Sequence, residues 1–446
     1  IEESELLDLS VPHLGDKAEA LGLDWYHLPV EDGGVPDDDF EALWLYTGHR
    51  LRRALSRGEG ILIHCKGGLG RTGTIAARLL IELGDPPDEA IKKVREARFR
   101  TVETKEQEHY LRKCAPSKNN QAYIDRVLGC LLGGAVGDAL GYKVEFDRWD
   151  SIQEKYGPAG LQEIQLHDGV APVSDDTQMT LFTLEGMLRA LRGGTSVIHE
   201  IRRAYMDWLA TQERPAPGWR AAGALCHDAR LQRRRAPGNT CVSALRTGYP
   251  IASSKGCGGV MRIAPLGLIR EWSALQSFEF AAQAAELTHG HPTGYLSAGA
   301  FASMIKILLN GESPAAAAEQ SLAILKSKPA HGETHRAIIA ALDLNRKGGD
   351  SLPVVKHLGE GWIAEEALAI GLHSALSANS FPDILRIAAN HDGDSDSTAS
   401  IAGQAYGAWR GLADLPNRWI RRIDVLVPLL RLAGELIEIE AKTRSS

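Results

Sequence analysis

The sequence predicts a chain of two domains, an α/β domain of strands alternating with helices and then a larger, nearly all-α domain. Three observations predict it. The chain has 446 residues, well beyond the ~100 to 200 of one domain. The polar segment APSKNNQ at 115–121 separates EQEHYLRKC, which reads as the end of a helix, from YIDRVLGCLLGG, which reads as the start of another. The apolar pattern also changes across that segment. Before it lie short runs such as WYHLPV and GILIHC; after it, stretches such as LSAGAFASMIKILLNG and AEEALAIGLHSALS carry apolar residues at steps of three and four. The expected organisation is a first domain at 1–114, a linker at 115–121 and a second domain at 122–446.

Charge and cysteine usage exclude several classes. A formal net charge of -7, with 50 basic and 57 acidic residues mixed along the chain, leaves no basic stripe for a phosphate backbone, so no nucleic acid partner is expected. Cys65, Cys114, Cys130, Cys226, Cys241 and Cys257 form no CxxC pair, which argues against a disulfide framework and a structural zinc site. A reducing, cytoplasmic setting follows as the expectation. The start IEESELLDLS has no signal pattern, and the apolar run VLGCLLGGAVG at 127–137 stops at Asp138, short of the ~20 residues of a membrane span. A soluble protein with no membrane partner is expected.

Within the first domain, GILI reads as a buried strand and GTIAARLLIELG as an amphipathic helix. Cys65 then ends the strand, and the loop from Lys66 to Arg71 leads into a helix amino terminus. Backbone N–H groups there bind an anion, and glycines at 67, 68 and 70 let the loop curl around it, so Lys66, Gly67, Gly68, Leu69 and Gly70 form a candidate phosphate cradle. The same field favours thiolate over thiol at Cys65. Arg71 presents a planar fork for two phosphate oxygens, and Thr72 can hydrogen-bond the sulfur. A buried structural cysteine beside a tight turn is the simpler reading, but it does not account for the Cys, five residues, Arg-Thr spacing. Upstream, Asp37 to Asp39 read as a helix amino-terminal cap.

Together, IHCKGGLGRTG and PVEDGGVPDDDF resemble the cysteine-dependent phosphatases of the dual-specificity class. Within it they are similar to the cyclin-dependent-kinase-associated branch, which carries both a DGGxPD loop and a GGLGR cradle. The resemblance covers about residues 1–113. It implies a central sheet flanked by helices, a cysteinyl-phosphate intermediate, Asp32 as the acid that protonates the departing oxygen, no cofactor in this domain, and a phosphorylated substrate of unknown class. In the closing segment VREARFRTVETKEQEHYL, Phe99 stands where a proline commonly follows an arginine; an altered turn and an untouched cradle are expected.

The second domain carries two acidic clusters, VSDDTQMT at 173–180 and HDGDSDST at 391–398. Carboxylates with small hydroxyl neighbours are what hard, oxygen-seeking cations require. A calcium loop starting at Asp392 fails, with Ser397 at the sixth position and no glutamate near the twelfth. GCLLGGAVGDALGYKVEF spaces glycines at 129, 133, 137 and 141, one per helical turn, so this helix can lie close against a neighbour and present Asp138 and Glu145 at its far end.

With APGNT, SKGCGGVMRIAPLGL, LTHGHPTGY and GWIAEEALAI added, residues 122–446 resemble the ADP-ribosylglycohydrolase family, which includes the dinitrogenase-reductase-activating type. The resemblance implies a compact all-α domain with two Mg²⁺ or Mn²⁺ ions at the base of a cleft. Ser174, Asp175, Asp176 and Asp396 would hold one, and Asp394, Asp396 and Ser397 the other. The substrate would be an ADP-ribosylated protein whose C1″ bond is cut, with Asp175, Asp176 or Glu145 moving the protons. The loop with Ser254, Gly256, Gly258 and Gly259 would bind the diphosphate beside His289, while Cys257 reads as inert loop packing. The SDDT and GDSDST forms resemble the arginine-linked branch more than the TDDT and GDTDT forms of the serine-linked one. Ala399 and Gln404 depart from the common glycine and asparagine. A module that binds ADP-ribose without turnover, as in eye-lens relatives, is the competing reading.

Overall fold

In the computed structural model, residues 1–117, 121–215, 218–347, 355–377 and 380–443 are described, and residues 118–120 of the expected linker lie outside them. The chain divides into two compact units, Ile1–Gln121 and Ala122–Ser446.

The first unit contains helices α1 (Glu3–Asp8), α2 (Leu14–Ala20), α3 (Asp38–Ser56), α4 (Gly70–Glu82), α5 (Pro87–Ala97) and α6 (Lys105–Lys113). Asp37 caps α3, its Oδ1 accepting from the Phe40 amide at 2.8 Å, so the acidic run serves the cap the sequence assigns it. α4 is the central element. On one side Ala77 and Ile81 pack with Ala90, Ile91, Val94 and Leu111 of α5 and α6; on another Leu79 packs with Val30, Phe40 and Trp44. Arg78 ties α4 to α3 through both oxygens of Glu41, at 2.7 and 2.8 Å.

The expected central sheet is not what the first unit shows. Among the described residues of 1–121 no strand is assigned. The segments expected as strands do lie side by side: the Trp25 and His64 rings are 5.5 Å apart, and Ile61, Ile63, Trp25 and Leu28 face a common apolar cavity with Phe40 and Trp44. No backbone hydrogen bond joins them among the described residues. Side-chain alternation, with Leu62 exposed between half-buried Ile61 and Ile63, is thus present without the ladder that defines a sheet.

The second unit is helical, as expected, with only isolated bridges among the described residues. It opens with α7 (Gln121–Gly141), followed by α8 (Trp149–Tyr156), α9 (Asp175–Gly193), α10 (Val197–Gln212) and α11 (Asn239–Thr247). Then come α12 (Ala274–Glu286), α13 (Pro292–Leu309), α14 (Pro314–Leu325) and α15 (Gly332–Lys347). The last are α16 (Ala364–Ser377), α17 (Phe381–Ala389), α18 (Ser395–Arg410), α19 (Asn417–Ile420) and α20 (Leu426–Thr443). α13 is the buried hub, packed against α12, α14, α16 and α18.

The glycine row of α7 does what its spacing implies. A Cβ added at Gly129, Gly133, Gly137 or Gly141 would fall 2.5, 2.4, 2.1 or 2.1 Å from the carbonyl oxygens of Gly407, Gly403, Ala399 and Ser395. Backbone therefore lies on backbone along the whole length of α18, the helix that begins at the second acidic cluster.

Candidate active sites

In the first unit, Cys65 sits before the amino terminus of α4. Its Sγ accepts from the Gly68 amide at 3.1 Å. Burial opposes ionisation of the thiol, but hydrogen bonding from Thr72 and from the Thr72, Gly68 and Leu69 amides outweighs it and holds the thiol below its ordinary value. Thr72 Oγ1 is buried and lacks a partner of full hydrogen-bonding geometry, so its support for the sulfur is the weaker, longer kind. Gly68 takes φ +71°, which lets the loop curl.

Arg71 is buried and spoken for. Its Nη1 donates to Glu5 Oε2 at 2.5 Å and to the Val30 carbonyl at 3.0 Å, and Nη2 donates to Glu5 Oε1 at 2.9 Å. Asp32, at the surface, pairs with Nη2 at 2.9 Å. Only Nε is left without a partner. The Glu5 carboxyl is held down to about 2, chiefly by its hydrogen bonds to Arg71.

Two residues the sequence reading did not single out reach the cradle from the segment after α5. Arg98 Nη2 donates to the Gly67 carbonyl at 3.2 Å, and Glu103 Oε2 accepts from the Gly70 amide at 2.8 Å. The turn between them takes positive φ at Arg100 (70°) and Val102 (57°). The segment that carries Phe99 thus touches the cradle through its flanking residues. The backbone takes an uncommon path at Arg100 and Val102 between the two contacting residues. Glu5 was equally invisible, because its partner lies far along the chain.

In the second unit the two acidic clusters come together. Ser174 is the buried cap of α9, its Oγ accepting from the Asp176 amide at 3.2 Å. Asp138 of α7 accepts from the Ser174 amide at 2.8 Å, the Thr177 amide at 3.0 Å and the Thr177 hydroxyl at 2.5 Å. The Gly238 amide, in the APGNT segment, donates to Asp175 Oδ2 at 3.1 Å. Across the cleft Asp394 caps α18, and the Ser397 amide donates to Asp396 Oδ1 at 2.9 Å. The turn needs Gly393: at φ +127°, any Cβ would lie 1.9 Å from the Glu360 carbonyl.

Asp175, Asp176, Asp394, Asp396, Ser397 and Glu145 all line one cavity of about 470 Å³. Gly256, Gly258 and His289 line it too, brought there by the bridges Ile251–His289 and Gly256–Ile363. Gly258 is obligatory for this packing, since a Cβ would meet Cys241 Sγ at 2.9 Å and the His289 ring at 3.1 Å. Gly259 is buried behind the cavity, and Ser254 Oγ bonds Thr240 Oγ1 at 3.0 Å.

Burial dominates the electrostatics. It pushes Asp175 and Glu145 up to about 8, with repulsion from their carboxylate neighbours adding to it. Asp176 and Asp396 are pushed well above the carboxylate range for the same reasons. Asp138 rises only to about 6, because its hydrogen bonds offset part of the burial. Asp176 Oδ2 and Glu145 Oε2 are buried with no partner. His289 is driven down to about 3, first by burial and then by the Arg262 charge. Arg262 is fully buried with no ion pair among the described residues, its Nη2 donating to Thr288 Oγ1 at 2.7 Å and its guanidinium lying 4.2 Å over the Tyr205 ring. Sequence reading grouped it with the glycine-rich loop and missed its role as a fixed cation behind the cavity. Among the described residues, no three His, Cys, Asp or Glu side chains form a finished cation cage.

Cys257 does more than pack, although burial and then the Asp394 charge push its thiol well above the ordinary value and keep it unreactive. Its Sγ donates to Asp394 Oδ2 at 2.7 Å, and it lines the cavity among the carboxylates. Gln404 stands away from the cavity and braces the loop, its Nε2 donating to the Met261 carbonyl at 3.2 Å.

Fold and sites together define a hydrolase with two parts, a thiol cradle at a helix start and a carboxylate-lined cleft in a helical domain. Residues 119–445 match the family described as ADP-ribosylglycohydrolase, and residues 5–85 match that described as polymorphic toxin system, DSP-PTPase phosphatase. The chain belongs to the ADP-ribosylglycohydrolase family and carries a fused phosphatase domain of the dual-specificity class. It is 27% identical over 333 residues to the ADP-ribosyl-(dinitrogen reductase) glycohydrolase of Rhodospirillum rubrum, covering 70% of this chain and 97% of that relative. It is 25% identical over 323 residues to the ADP-ribosylarginine hydrolase Tri1 of Pseudomonas putida, covering 71% of this chain and 78% of Tri1. The rat cyclin-dependent kinase inhibitor 3 is 37% identical over 110 residues, which is 24% of this chain and 50% of that relative. Among solved structures, an ADP-ribosylglycohydrolase-related protein complex shares the fold with a TM-score of 0.53 at 24% identity, over 72% of this chain and 99% of that one. No described helix is long and apolar enough to cross a membrane.

Proposed function

We propose that this chain releases ADP-ribose from modified protein, with ADP-ribosyl-arginine as the preferred linkage, and that its first unit is a phosphatase working through a cysteinyl-phosphate. The observation that carries the first half is the convergence of Asp175, Asp176, Asp394, Asp396 and Glu145 on one cavity that also holds His289 and the glycine-rich loop. The arginine linkage draws on the SDDT and GDSDST forms and on the likeness to Tri1.

The cluster fits divalent cations. Its donors are carboxylate and hydroxyl oxygens, Asp176 Oδ2 among them is buried without a partner, and burial, with repulsion between neighbouring carboxylates, pushes Asp176 and Asp396 upward. We assign Ser174, Asp175, Asp176 and Asp396 to one ion, and Asp394, Asp396 and Ser397 to the other, both Mg²⁺ or Mn²⁺. Bound there, the ions would supply the charge that orients the ribose hydroxyls and polarises the reacting centre. The residues do the rest. Glu145 belongs to neither ligand set and lines the same cavity, so we assign it to move the proton as the C1″ bond breaks. The glycine-rich loop offers backbone amides to the diphosphate. His289, uncharged at neutral pH, positions that group as a neutral hydrogen-bonding partner.

In the first unit the Cys65 thiolate would attack phosphorus while Asp32 gives its proton to the departing oxygen, and water would then cleave the thiophosphate. Arg71 Nε, its one unpartnered nitrogen, is the donor free to meet the transferring group.

The test offers the full chain an ADP-ribosylated arginine peptide, an ADP-ribosylated serine peptide and an aryl phosphate. Release of free ADP-ribose from the arginine peptide, lost on adding EDTA and restored by Mg²⁺, is expected. Tight binding of ADP-ribose without turnover under any cation would mean a binding module, and release that ignores EDTA would sink the cation assignment.

A further inference from the structure

We propose that Phe146 and Trp362 select the linkage this cleft cuts, their stacked rings holding the planar, charged guanidinium of an ADP-ribosylated arginine beside C1″. The inference rests on the reading that the cleft releases ADP-ribose from modified arginine. Phe146 is 74% exposed and Trp362 39%, and both line the cavity that holds the carboxylates. A lone exposed ring needs no explanation. Here two rings from distant segments meet at one cavity, their centroids 5.9 Å apart and their planes 20° from parallel.

Each ring is carried next to the reacting groups. Phe146 directly follows Glu145, in a turn where Val144 is buried and the Asp147 amide donates to the Val144 carbonyl at 2.9 Å. Asp147 in turn accepts from Lys155 Nζ of α8 at 2.9 and 2.8 Å. Trp362 lies in the segment before α16, where the Glu360 carbonyl accepts from the Asp394 amide at 2.8 Å and the Trp362 carbonyl accepts from the Cys257 amide at 3.1 Å. The pair therefore joins the wall that carries Glu145 to the wall that carries the acids of α18. A flat group stacks about 3.5–4 Å from a ring, so a ligand between the two rings would need roughly 7 Å, and their 5.9 Å separation excludes a sandwich. What remains is the outward face of Phe146, backed by Trp362. A guanidinium suits such a face, because it is flat, weakly hydrated and attracted as a cation by the ring quadrupole. A serine joined at C1″ brings neither plane nor charge, so the same face discriminates between the linkages.

Phe146→Leu and Phe146→Tyr, made in the full chain, test this: the first keeps apolar bulk and loses the ring, the second keeps the ring. With Mg²⁺ present, Phe146→Leu should raise KM on an ADP-ribosylated arginine peptide about five- to thirtyfold, the range of one cation–ring contact. The contact is made in substrate and transition state alike, so kcat should stay close to its original value, and Phe146→Tyr should restore KM. Titration with free ADP-ribose, which lacks the guanidinium, should give one Kd for all three proteins and so report that the cleft is intact. A KM unmoved by Phe146→Leu overturns the proposal. An equal loss of affinity for free ADP-ribose also overturns it, by giving the ring to the base or the riboses instead. If the wild type releases nothing from the peptide, the hydrolase reading fails, and the Kd of the same peptide, compared across the three proteins, decides separately on the ring.

Discussion

Arg71 is gripped by both oxygens of Glu5, at 2.5 and 2.9 Å, across 66 residues of sequence. The pair fixes the guanidinium, whose Nε is buried without a partner. Glu5→Gln should therefore lower kcat/KM on an aryl phosphate by about ten- to a hundredfold, the range of one misplaced charged donor. Because the Glu5 carboxyl is held down to about 2, its stabilising contribution is complete above the ordinary value near 4.5 and fades as the pH falls toward 2. A Glu5→Gln protein that hydrolyses aryl phosphate at the wild-type rate would show that Arg71 is aimed by something else.

Cys65→Ser should erase aryl-phosphate hydrolysis, since a serine alkoxide is scarcely available at neutral pH. ADP-ribose release should continue at close to the original rate. Cleaving the chain near Asn119 should yield two fragments that each keep one activity, because every cradle residue precedes that point and every cleft residue follows it. Loss of ADP-ribose release in Cys65→Ser, or a fragment that does not fold, would reveal coupled sites.

Among the acids of α18, Asp396 should matter more than Asp394, being assigned to both ions. Asp396→Ala and Asp394→Ala should each abolish glycohydrolase turnover and leave phosphatase activity nearly intact, and isothermal titration should find Mg²⁺ binding lost more completely in the former. Equal, partial losses would mean that no residue bridges two ions.

The raised carboxyls make a signed prediction about pH. Glu145 and Asp175, at about 8, keep protons in the folded state that the unfolded chain releases near 4. The second unit without metal should thus be most stable below pH 4 to 5 on this account and lose that stability as the pH rises toward 8. Divalent cation should reverse the loss, by about 2.7 kcal/mol at a hundredfold excess over its Kd. Melting curves in EDTA that are flat from pH 5 to pH 8 would contradict it.

With its imidazole driven down to about 3, His289 stays uncharged across the working range and does not serve as a general acid there. His289→Gln should raise KM about tenfold, the worth of one hydrogen bond, while the pH–rate profile keeps its limbs. A limb that vanishes with the histidine would make it an acid after all.

Legibility differed between the halves for physical reasons. In the second unit the glycine row, the paired aspartates and the loop motifs are local patterns, and each maps onto a local constraint: a close helix approach, a capped turn, a backbone turned toward a cavity. Of Asp138 and Glu145, expected at one helix end, Asp138 sits in the last turn of α7, whereas Glu145 lies in the turn that follows it and still lines the cavity. What stayed hidden depends on contacts between distant segments. Nothing around Glu5 marks it as the partner of Arg71, and nothing around Glu103 marks it as the acceptor for Gly70. The Cys257 contact stayed hidden because a glycine-flanked cysteine looks like turn packing until Asp394, 137 residues on, is seen to face it. The expected sheet failed on a related point. Alternation in GILI and WYHLPV specifies which side chains turn inward, whereas a ladder also needs backbone partners in register.

The contact of α7 with α18 makes helix length part of the catalytic apparatus. Four glycines must stay in one row, and Asp138 must stay between the last two. Inserting one residue between Gly129 and Asp138 would turn everything beyond it by about 100° and advance it by about 1.5 Å, aiming Asp138 away from the start of α9 and driving side chains into the α18 backbone. The cleft is in that sense specified by a count as well as by residue types. Residues 127–141 of α7 are all buried, so its tally of residues is fixed by packing, and the helix serves as a ruler between the start of α9 and the start of α18.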